Sequence, residues 1–182
     1  ANIMNSVGYD LVTLGNHEFD YGVEQLFSIT NMLNATTLNC NFRDLRTGNL
    51  VYSPYKILKY GKAQIAFIGV TTPAAMSISL TKFQDSTGTK IYDFMTDEVF
   101  AQVQKYVAEV KNKGADYVIV LSHLGDIPAQ AVNSVSLIEN TTGIDVVLDG
   151  HSHSTITDST LYNLNGKPVL LTSTGTKFQN FG

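Results

Sequence analysis

The chain has 182 residues, 43% of them hydrophobic, so it is long and apolar enough to bury one domain-sized core. Its 12 basic and 16 acidic residues form no run and give a net charge of −4. The sequence therefore shows no basic cluster of the kind that binds nucleic acid or an anionic membrane. No apolar stretch reaches the ~20 residues of a membrane span, and the first residues lack the pattern of a signal peptide. The single cysteine, Cys40, excludes an internal disulfide and is predicted to pack in a buried strand.

Helices and strands are predicted to alternate in the first part of the chain. Residues 1–8 carry apolar residues at helical spacing and end in glycine, which indicates the last turns of a helix. Residues 9–14 are typical of a short buried strand that stops at a glycine. Residues 23–33 repeat apolar residues at helical spacing, and residues 36–39 predict the next strand. The loop between the first strand and its helix therefore lies at a carboxyl end, where open α/β sheets bind ligands.

The middle of the chain predicts a hairpin between two irregular segments. Residues 41–54 are rich in turn-forming residues and are expected to be a solvent-exposed loop. Two strand-like runs, 55–60 and 63–70, flank a Gly-Lys pair and predict the hairpin. Residues 71–90 show no clear period and predict a long excursion, a kind of segment that is often functional or mobile.

The second half predicts two further helices and a buried strand. Residues 96–113 give the clearest amphipathic pattern of the chain, and Gly114 closes the predicted helix. Residues 116–122 are rich in valine, isoleucine and leucine and predict a buried strand with His123 at its tip. A weaker helix is predicted over residues 129–140.

The last predicted strands complete an α/β fold. Residues 144–148 repeat the buried-strand pattern and lead directly into the polar residues 149–153. A final apolar run, residues 169–174, follows the turn at 165–168. We therefore expect residues 1–182 to form a single α/β domain, with its polar chemistry where strands end.

All four histidines of the chain follow predicted strands. A lone histidine such as His123 is more often a surface or hydrogen-bonded core residue than a metal ligand. The pair His151 and His153 is more specific, because two histidines on one extended turn can both address a cation while Ser152 points away. Histidine is a common metal ligand and titrates near neutral pH, so the sequence predicts one site built from these junctions.

Three motifs resemble those of the calcineurin-like metallophosphoesterases, and more narrowly the 5′-nucleotidase and UDP-sugar hydrolase branch. They are Gly-Asn-His-Glu-Phe-Asp-Tyr-Gly at 15–22, Ser-His at 122–123 and Gly-His-Ser-His at 150–153. Their order, spacing and strand context agree along nearly the whole chain. The resemblance implies a layered α-β-β-α sandwich with its site at the carboxyl ends of the strands.

The resemblance also implies a two-metal centre. Asn16, His123 and His151 would ligate one ion, and His153 would ligate the other. The ions implied are zinc, manganese, cobalt or magnesium. An amide oxygen and neutral imidazoles leave a divalent cation with net positive charge, which polarises phosphate oxygens and lowers the pKa of a bound water.

Other residues near the motifs are assigned non-ligand roles. By resemblance, His17 would contact the phosphate as a catalytic residue, and Asp20 would orient its ring. Glu18 is expected to bond backbone groups of its loop, although metal contact stays open. Asp149 and Asp10 are placed at the ends of their strands and are expected to accept hydrogen bonds rather than to ligate.

The family pattern begins with an Asp-x-His motif on its first strand and a Gly-Asp motif on its second, and neither is found ahead of the motif at 15–22, so the resemblance implies an internal fragment of a catalytic domain. Without a bridging carboxylate, two closely spaced cations repel each other. We therefore expect at most one ion to bind well and the fragment to be weak or inactive alone. An uncovered sheet edge would also favour a homo-oligomer.

The implied activity is hydrolysis of a nucleotide to a nucleoside and inorganic phosphate by a metal-activated hydroxide. UDP-sugar hydrolysis and 2′,3′-cyclic nucleotide hydrolysis remain alternatives, with a nucleotide or nucleotide sugar as the substrate. A different class, a non-catalytic metal- or phosphate-binding or interaction module, also stays open. Family resemblance implies export to the periplasm, the cell surface or the extracellular space.

Overall fold

The computed structural model describes residues 1–78, 80–177 and 179–180. Within them the strands are β1 (Leu11–Thr13), β2 (Thr36–Leu38), β3 (Arg43–Asp44), β4 (Tyr55–Tyr60), β5 (Ala63–Thr71), β6 (Tyr92–Asp93), β7 (Tyr117–His123), β8 (Val146–Asp149), β9 (Thr155–Tyr162) and β10 (Pro168–Thr174). The helices are α1 (Asn2–Val7), α2 (Val23–Thr30), α3 (Ala75–Ile78), α4 (Val99–Asn112) and α5 (Ser134–Glu139), with 3₁₀ turns at His17–Phe19, Leu80–Phe83 and Thr96–Glu98.

A six-stranded sheet in the order β4-β5-β7-β8-β10-β9 forms the centre of the fold. The inner strands β5, β7, β8 and β10 are parallel, whereas β4 and β9 are antiparallel to their neighbours. The register pairs Thr71 with His123 and Asp149 with Ser173. The carboxyl ends of the parallel strands therefore meet at one edge, where their loops can share a site.

A second sheet consists of the parallel pair β1 and β2. β1 contacts β5 and β7, and β2 contacts β5, so the small sheet packs against the large one. The approach is closest at Gly69, where an added Cβ would lie 2.2 Å from the backbone oxygen of Leu38. A glycine is required here because no side chain fits between the two backbones. The strands β3 and β6 form a third, antiparallel pair.

The main core lies between the six-stranded sheet and the helices α4 and α5. One face of α4 supplies buried valines such as Val103 and Val107, and these belong to the same cluster as Val118, Val120 and Val147 of the sheet. β-branched side chains suit this position because they pack well on a pleated sheet surface. The cluster includes Cys40, whose thiol has its pKa raised to about 12 by burial. The predicted packing role of Cys40 is confirmed.

A second core is aromatic and lies under the loop after β1. Phe19 packs against Phe42, Phe83 and Phe94 at ring-centroid distances of 5.1, 5.3 and 5.0 Å. All four rings are at most 1% exposed. Edge-to-face contacts of this kind add to the free energy gained from burying the rings. The cluster therefore fixes the loop that carries Asn16 and His17.

The face of the six-stranded sheet opposite α4 is partly uncovered. Leu148 and Leu170 on this face are 40% and 37% exposed. Beside β1, an open groove of ≈ 320 Å³ is lined by residues 7–11 together with Phe67, Leu121 and other side chains of the large sheet. Within the described residues, no helix has the length and apolar character needed to cross a membrane.

The α/β fold class and the hairpin of β4 and β5 are confirmed. The solvent-exposed loop predicted for residues 41–54 is wrong at its start, because Asn41 and Phe42 are fully buried. The weaker helix predicted from residue 129 begins only at Ser134, where Asn133 caps it. The excursion at 71–90 holds short helical turns and the buried Phe83, and residue 79 lies outside the described part.

Four strands also differ from the sequence-based predictions, and two of them, the two-residue strands β3 and β6, were not predicted. β9 was not predicted, since its run of threonine, serine and aspartate lacks the apolar character of a buried strand. It lies at an edge of the large sheet, where polar residues are tolerated. β1 is half-buried rather than fully buried, because it is paired with β2 in a sheet of two strands.

Candidate metal-binding site

Three of the four predicted metal ligands converge. Asn16 follows β1, His123 ends β7 and His151 follows β8. The side-chain oxygen of Asn16 lies 3.1 Å from Nε2 of His123 and 3.0 Å from Nδ1 of His151. Asn16 is only 5% exposed, so its oxygen faces the two imidazoles rather than bulk solvent. His123 and His151 are 107 and 135 positions away from Asn16 in the sequence, yet the three side chains present polar atoms to one point.

These atoms suit a divalent cation. Ligands about 2.1 Å from an ion, at nearly right angles to one another, lie roughly 3 Å apart, which matches both distances to the Asn16 oxygen. Burial, together with the charge of the neighbouring His151, lowers the pKa of His123 to about 4. Burial also lowers the pKa of His151. Both imidazoles are therefore neutral at physiological pH, which is the form that ligates metals.

The ligand set depends on an amide oxygen. Among the described residues, no three histidine, cysteine, aspartate or glutamate side chains are placed to hold a metal ion. The Asn16 oxygen is the third candidate ligand beside the nitrogens of His123 and His151. Nitrogen and oxygen ligands of this kind suit zinc, manganese and cobalt.

His153 stands apart from the other three residues. It is exposed, and no hydrogen bond between described residues joins it to the Asn16 cluster. His151 and His153 have φ angles of 76° and 60°, in the left-handed region that non-glycine residues rarely adopt. Such conformations cost of order 1–3 kcal/mol each and are typical of functional sites. The ligand role of His153 stays a prediction.

His17 and Asp20 form the pair that the sequence predicted. Nδ1 of His17 lies 2.9 Å from Oδ2 of Asp20, across the 3₁₀ turn His17–Phe19. The His17 side chain is 74% exposed, so Nε2 of the ring remains available to an incoming ligand. The charges of His17 and His153 are both among the causes that lower the pKa of His123. Both histidines therefore lie within electrostatic range of the Asn16 cluster.

Glu18 binds the backbone of its own loop, as predicted. Its Oε2 accepts a hydrogen bond of 2.6 Å from the backbone nitrogen of Gly15. A Cβ on Gly15 would lie 2.7 Å from that oxygen and 2.8 Å from Nε2 of His123. Only a glycine allows the loop to pass this close to the His123 ring.

Asp149 ties the ends of β7 and β8 together. Its Oδ1 accepts hydrogen bonds from the backbone nitrogens of Leu124 and Gly125, at 3.3 and 3.2 Å. Burial raises the pKa of the Asp149 carboxyl. The predicted hydrogen-bonding role is confirmed for Asp149. The predicted position of Asp10 is wrong, because Asp10 is exposed and precedes β1, at the opposite end of that strand from Asn16.

The turn that carries His151 and His153 is held by the loop after β7. The backbone nitrogen of Asp126 donates to the hydroxyl of Ser152 at 3.4 Å, and the hydroxyl of Ser154 donates to Oδ1 of Asp126 at 2.7 Å. Ser152 thus faces Asp126, in agreement with the prediction that its side chain points away from the cation position.

Some residues beneath the site were missed by the sequence-based reasoning. Asn39, Asn41 and Thr71 are buried polar residues at or just after the carboxyl ends of β2 and β5. The signal that could have indicated them is the one used for the histidines, namely polar side chains where predicted strands end. Phe19 was quoted within a motif, but its role as the anchor of the loop was not predicted.

The sequence of this chain is similar to those of known proteins. The family model described as "Bacterial capsule synthesis protein PGA_cap" matches residues 1–171. The chain is 33% identical over 163 residues to the 2′,3′-cyclic-nucleotide 2′-phosphodiesterase/3′-nucleotidase of Haemophilus influenzae, covering 82% of this chain and 24% of that protein. It is also 33% identical over 162 residues to the 5′-nucleotidase of Bos taurus, covering 85% of this chain and 25% of that protein. The chain thus spans about a quarter of the length of these relatives.

Solved structures share the fold. The calcineurin-like phosphoesterase YfkN from Bacillus subtilis superposes with a TM-score of 0.77 at 26% identity, over 94% of this chain and 56% of that one. The 5′-nucleotidase precursor from Thermus thermophilus gives a TM-score of 0.77 at 26% identity, over 96% of this chain and 34% of that one. The chain belongs to the family described as bacterial capsule synthesis protein PGA_cap and has the fold of the calcineurin-like phosphoesterases, with nucleotidases among its relatives.

Proposed function

We propose that this chain forms part of a metal-dependent nucleotidase, which hydrolyses a nucleotide to a nucleoside and inorganic phosphate. The observation that carries the proposal is the convergence of the Asn16 oxygen with Nε2 of His123 and Nδ1 of His151 at 3.0–3.1 Å. The relatives named as 5′-nucleotidases and as a cyclic-nucleotide phosphodiesterase/3′-nucleotidase support this substrate class.

Asn16, His123 and His151 would hold one divalent ion. When bound, the ion supplies positive charge that polarises phosphate oxygens and lowers the pKa of a coordinated water. Two such ions, chosen from zinc, manganese, cobalt or magnesium, are proposed for the parent enzyme. His153 is proposed as a ligand of the second ion. The described residues converge on one ion position, so we expect this chain to bind one ion well and to turn over nucleotides slowly.

His17 and Asp20 would act on the phosphate itself. Asp20 holds Nδ1 of His17, which leaves Nε2 of the exposed ring available to a ligand. When the ring is protonated, Nδ1 donates to the Asp20 carboxylate and Nε2 can donate a hydrogen bond to a phosphate oxygen, which stabilises negative charge as the phosphoester bond breaks. This role depends on the exposed position of the His17 ring, which leaves room for the nucleotide.

The proposal is tested by titrating the metal-stripped chain with Mn²⁺ and Zn²⁺ and by measuring phosphate release from AMP. We expect one bound ion per chain, and a loss of affinity of more than about tenfold in His123→Gln. His17→Gln is the matched control, because it removes the phosphate contact but no proposed ligand of the Asn16 cluster. It should keep the metal affinity of the wild type and lose phosphate release.

Two outcomes would contradict the proposal. Metal affinity that is unchanged in His123→Gln would exclude the assigned ligand set. Metal binding without hydrolysis would instead favour the non-catalytic metal-binding module, that is, no phosphate from AMP, no nucleoside monophosphate from a 2′,3′-cyclic nucleotide and no UMP from a UDP-sugar. The comparison of the three substrates also decides between the nucleotidase and its two alternatives.

We further propose that the protein is exported, to the periplasm or the cell surface, in keeping with the nucleotidase relatives. Self-association of the chain is proposed as well. It rests on the uncovered face of the six-stranded sheet, where Leu148 and Leu170 are exposed.

A further inference from the structure

The ligands of the candidate metal site come from two different sheets. Asn16 follows β1 of the small sheet, whereas His123 and His151 belong to β7 and β8 of the large one. The distances of 3.1 and 3.0 Å to the Asn16 oxygen therefore depend on how the two sheets are placed against each other. Sites of this kind must be held to within about 0.5 Å by the structure around them. Some contact between the sheets has to supply that constraint.

Thr71 makes such a contact at the carboxyl end of β5. Its hydroxyl donates a hydrogen bond of 2.6 Å to the backbone oxygen of Leu14, which lies two residues before Asn16. In the register of the large sheet, Thr71 is the direct partner of His123. The next backbone nitrogen, that of Thr72, donates to the backbone oxygen of His123 at 3.1 Å. One residue thus joins the strand that leads to Asn16 with the strand that ends in His123.

Asn39 and Asn41 hold Thr71 in this position. The side-chain nitrogen of Asn39 donates to the Thr71 hydroxyl at 2.7 Å. The side-chain oxygen of Asn41 accepts from the Thr71 backbone nitrogen at 3.0 Å, and its side-chain nitrogen donates to the Thr71 backbone oxygen at 2.8 Å. All three residues are 0% exposed. In a buried network of this kind, the loss of one member leaves others without partners, which favours a single rigid arrangement.

We propose that Thr71 is a positioning residue for the metal site. Its hydroxyl fixes the spacing between the two sheets and thereby brings the Asn16 oxygen to His123 and His151. The effect on metal binding rests on the proposed function. The effect on the position of Asn16 relative to His123 and His151 does not, because it concerns only residues of the chain. In this role Thr71 acts through Leu14 and through the backbone of His123.

The test compares Thr71→Val, which has the shape of threonine but no hydroxyl, with Thr71→Ser, which keeps the hydroxyl. Metal affinity is measured by titration with Mn²⁺ and Zn²⁺, and stability by urea unfolding. We expect Thr71→Val to lose about tenfold in metal affinity and Thr71→Ser to recover it. Val118→Ala is the control, because Val118 is fully buried near the opposite end of β7. It should lower stability and leave the metal affinity unchanged.

A second measurement needs no metal. Nuclear magnetic resonance of the histidine rings in the metal-free chain reports on the contact between His123 and Asn16. We expect Thr71→Val to shift the His123 ring signals, and Thr71→Ser and Val118→Ala to leave them in place.

The two measurements separate this inference from the proposed function. If the wild type takes up no metal, the proposed function fails, and the ring signals still decide the role of Thr71. Unchanged His123 signals in Thr71→Val would overturn the positioning role. So would a loss of metal affinity that Val118→Ala shares to the same extent.

Discussion

At the scale of single residues, Gly15 sets the closest approach of the motif loop to His123. An alanine here would place its Cβ 2.7 Å from Oε2 of Glu18 and 2.8 Å from Nε2 of His123. We expect Gly15→Ala to displace the imidazole, to weaken metal binding and to lower the free energy of unfolding by about 1–3 kcal/mol. Metal titration and urea unfolding measure the two effects.

Gly150 provides the comparison for this prediction. A Cβ at Gly150 would lie 3.2 Å from Nδ1 of the same imidazole, a distance that a small shift of the ring can accommodate. Gly150→Ala should therefore cost less in both measurements than Gly15→Ala. Equal effects of the two substitutions would contradict the prediction, because they would show that the loop around Gly15 can move to accommodate a Cβ.

At the scale of elements, the 3₁₀ turn His17–Phe19 depends on one buried ring for its position. Phe19 is 1% exposed and touches the rings of Phe42, Phe83 and Phe94. Phe19→Ala should lower the free energy of unfolding by about 3–5 kcal/mol, because it leaves a cavity among these rings. Hydrogen exchange of the amides of residues 15–22 should also become faster. Phe19→Leu, which retains most of the apolar volume, is the control and should show a smaller change in both.

The elements also show what a sequence can and cannot predict. The strands that end at His123 and at Asp149 were predicted because valine, isoleucine and leucine form unbroken runs before them. The burial of Asn41 and Phe42 was not predictable from local pattern, since it depends on residues such as Phe94 and Thr71 that are far away in the sequence. That the histidines share one site was predicted from their positions after strands. The convergence of Asn16 with them was predicted only through family resemblance, because spacing along the chain does not define the packing of two sheets.

At the scale of the whole molecule, the uncovered face of the large sheet predicts self-association. Leu148 and Leu170 are 40% and 37% exposed there, next to the half-buried Leu121. Exposed apolar faces of this kind favour contact with other surfaces. We expect light scattering to give a mass above that of one chain, rising with concentration, and the double variant Leu148→Lys and Leu170→Lys to reduce it. A mass of one chain at every concentration would refute the prediction.

The position of β9 has a consequence for the fourth histidine. β9 starts at Thr155, two residues after His153, and among the described strands it is hydrogen-bonded to β10 alone. An edge strand can separate from its sheet at a lower free-energy cost than an inner strand. His123 ends an inner strand and His151 lies two residues after another, so opening of β9 would leave both of these strands in place. His123 and His151 are thus anchored by inner strands. The position of His153 relative to them can change when β9 separates from the sheet.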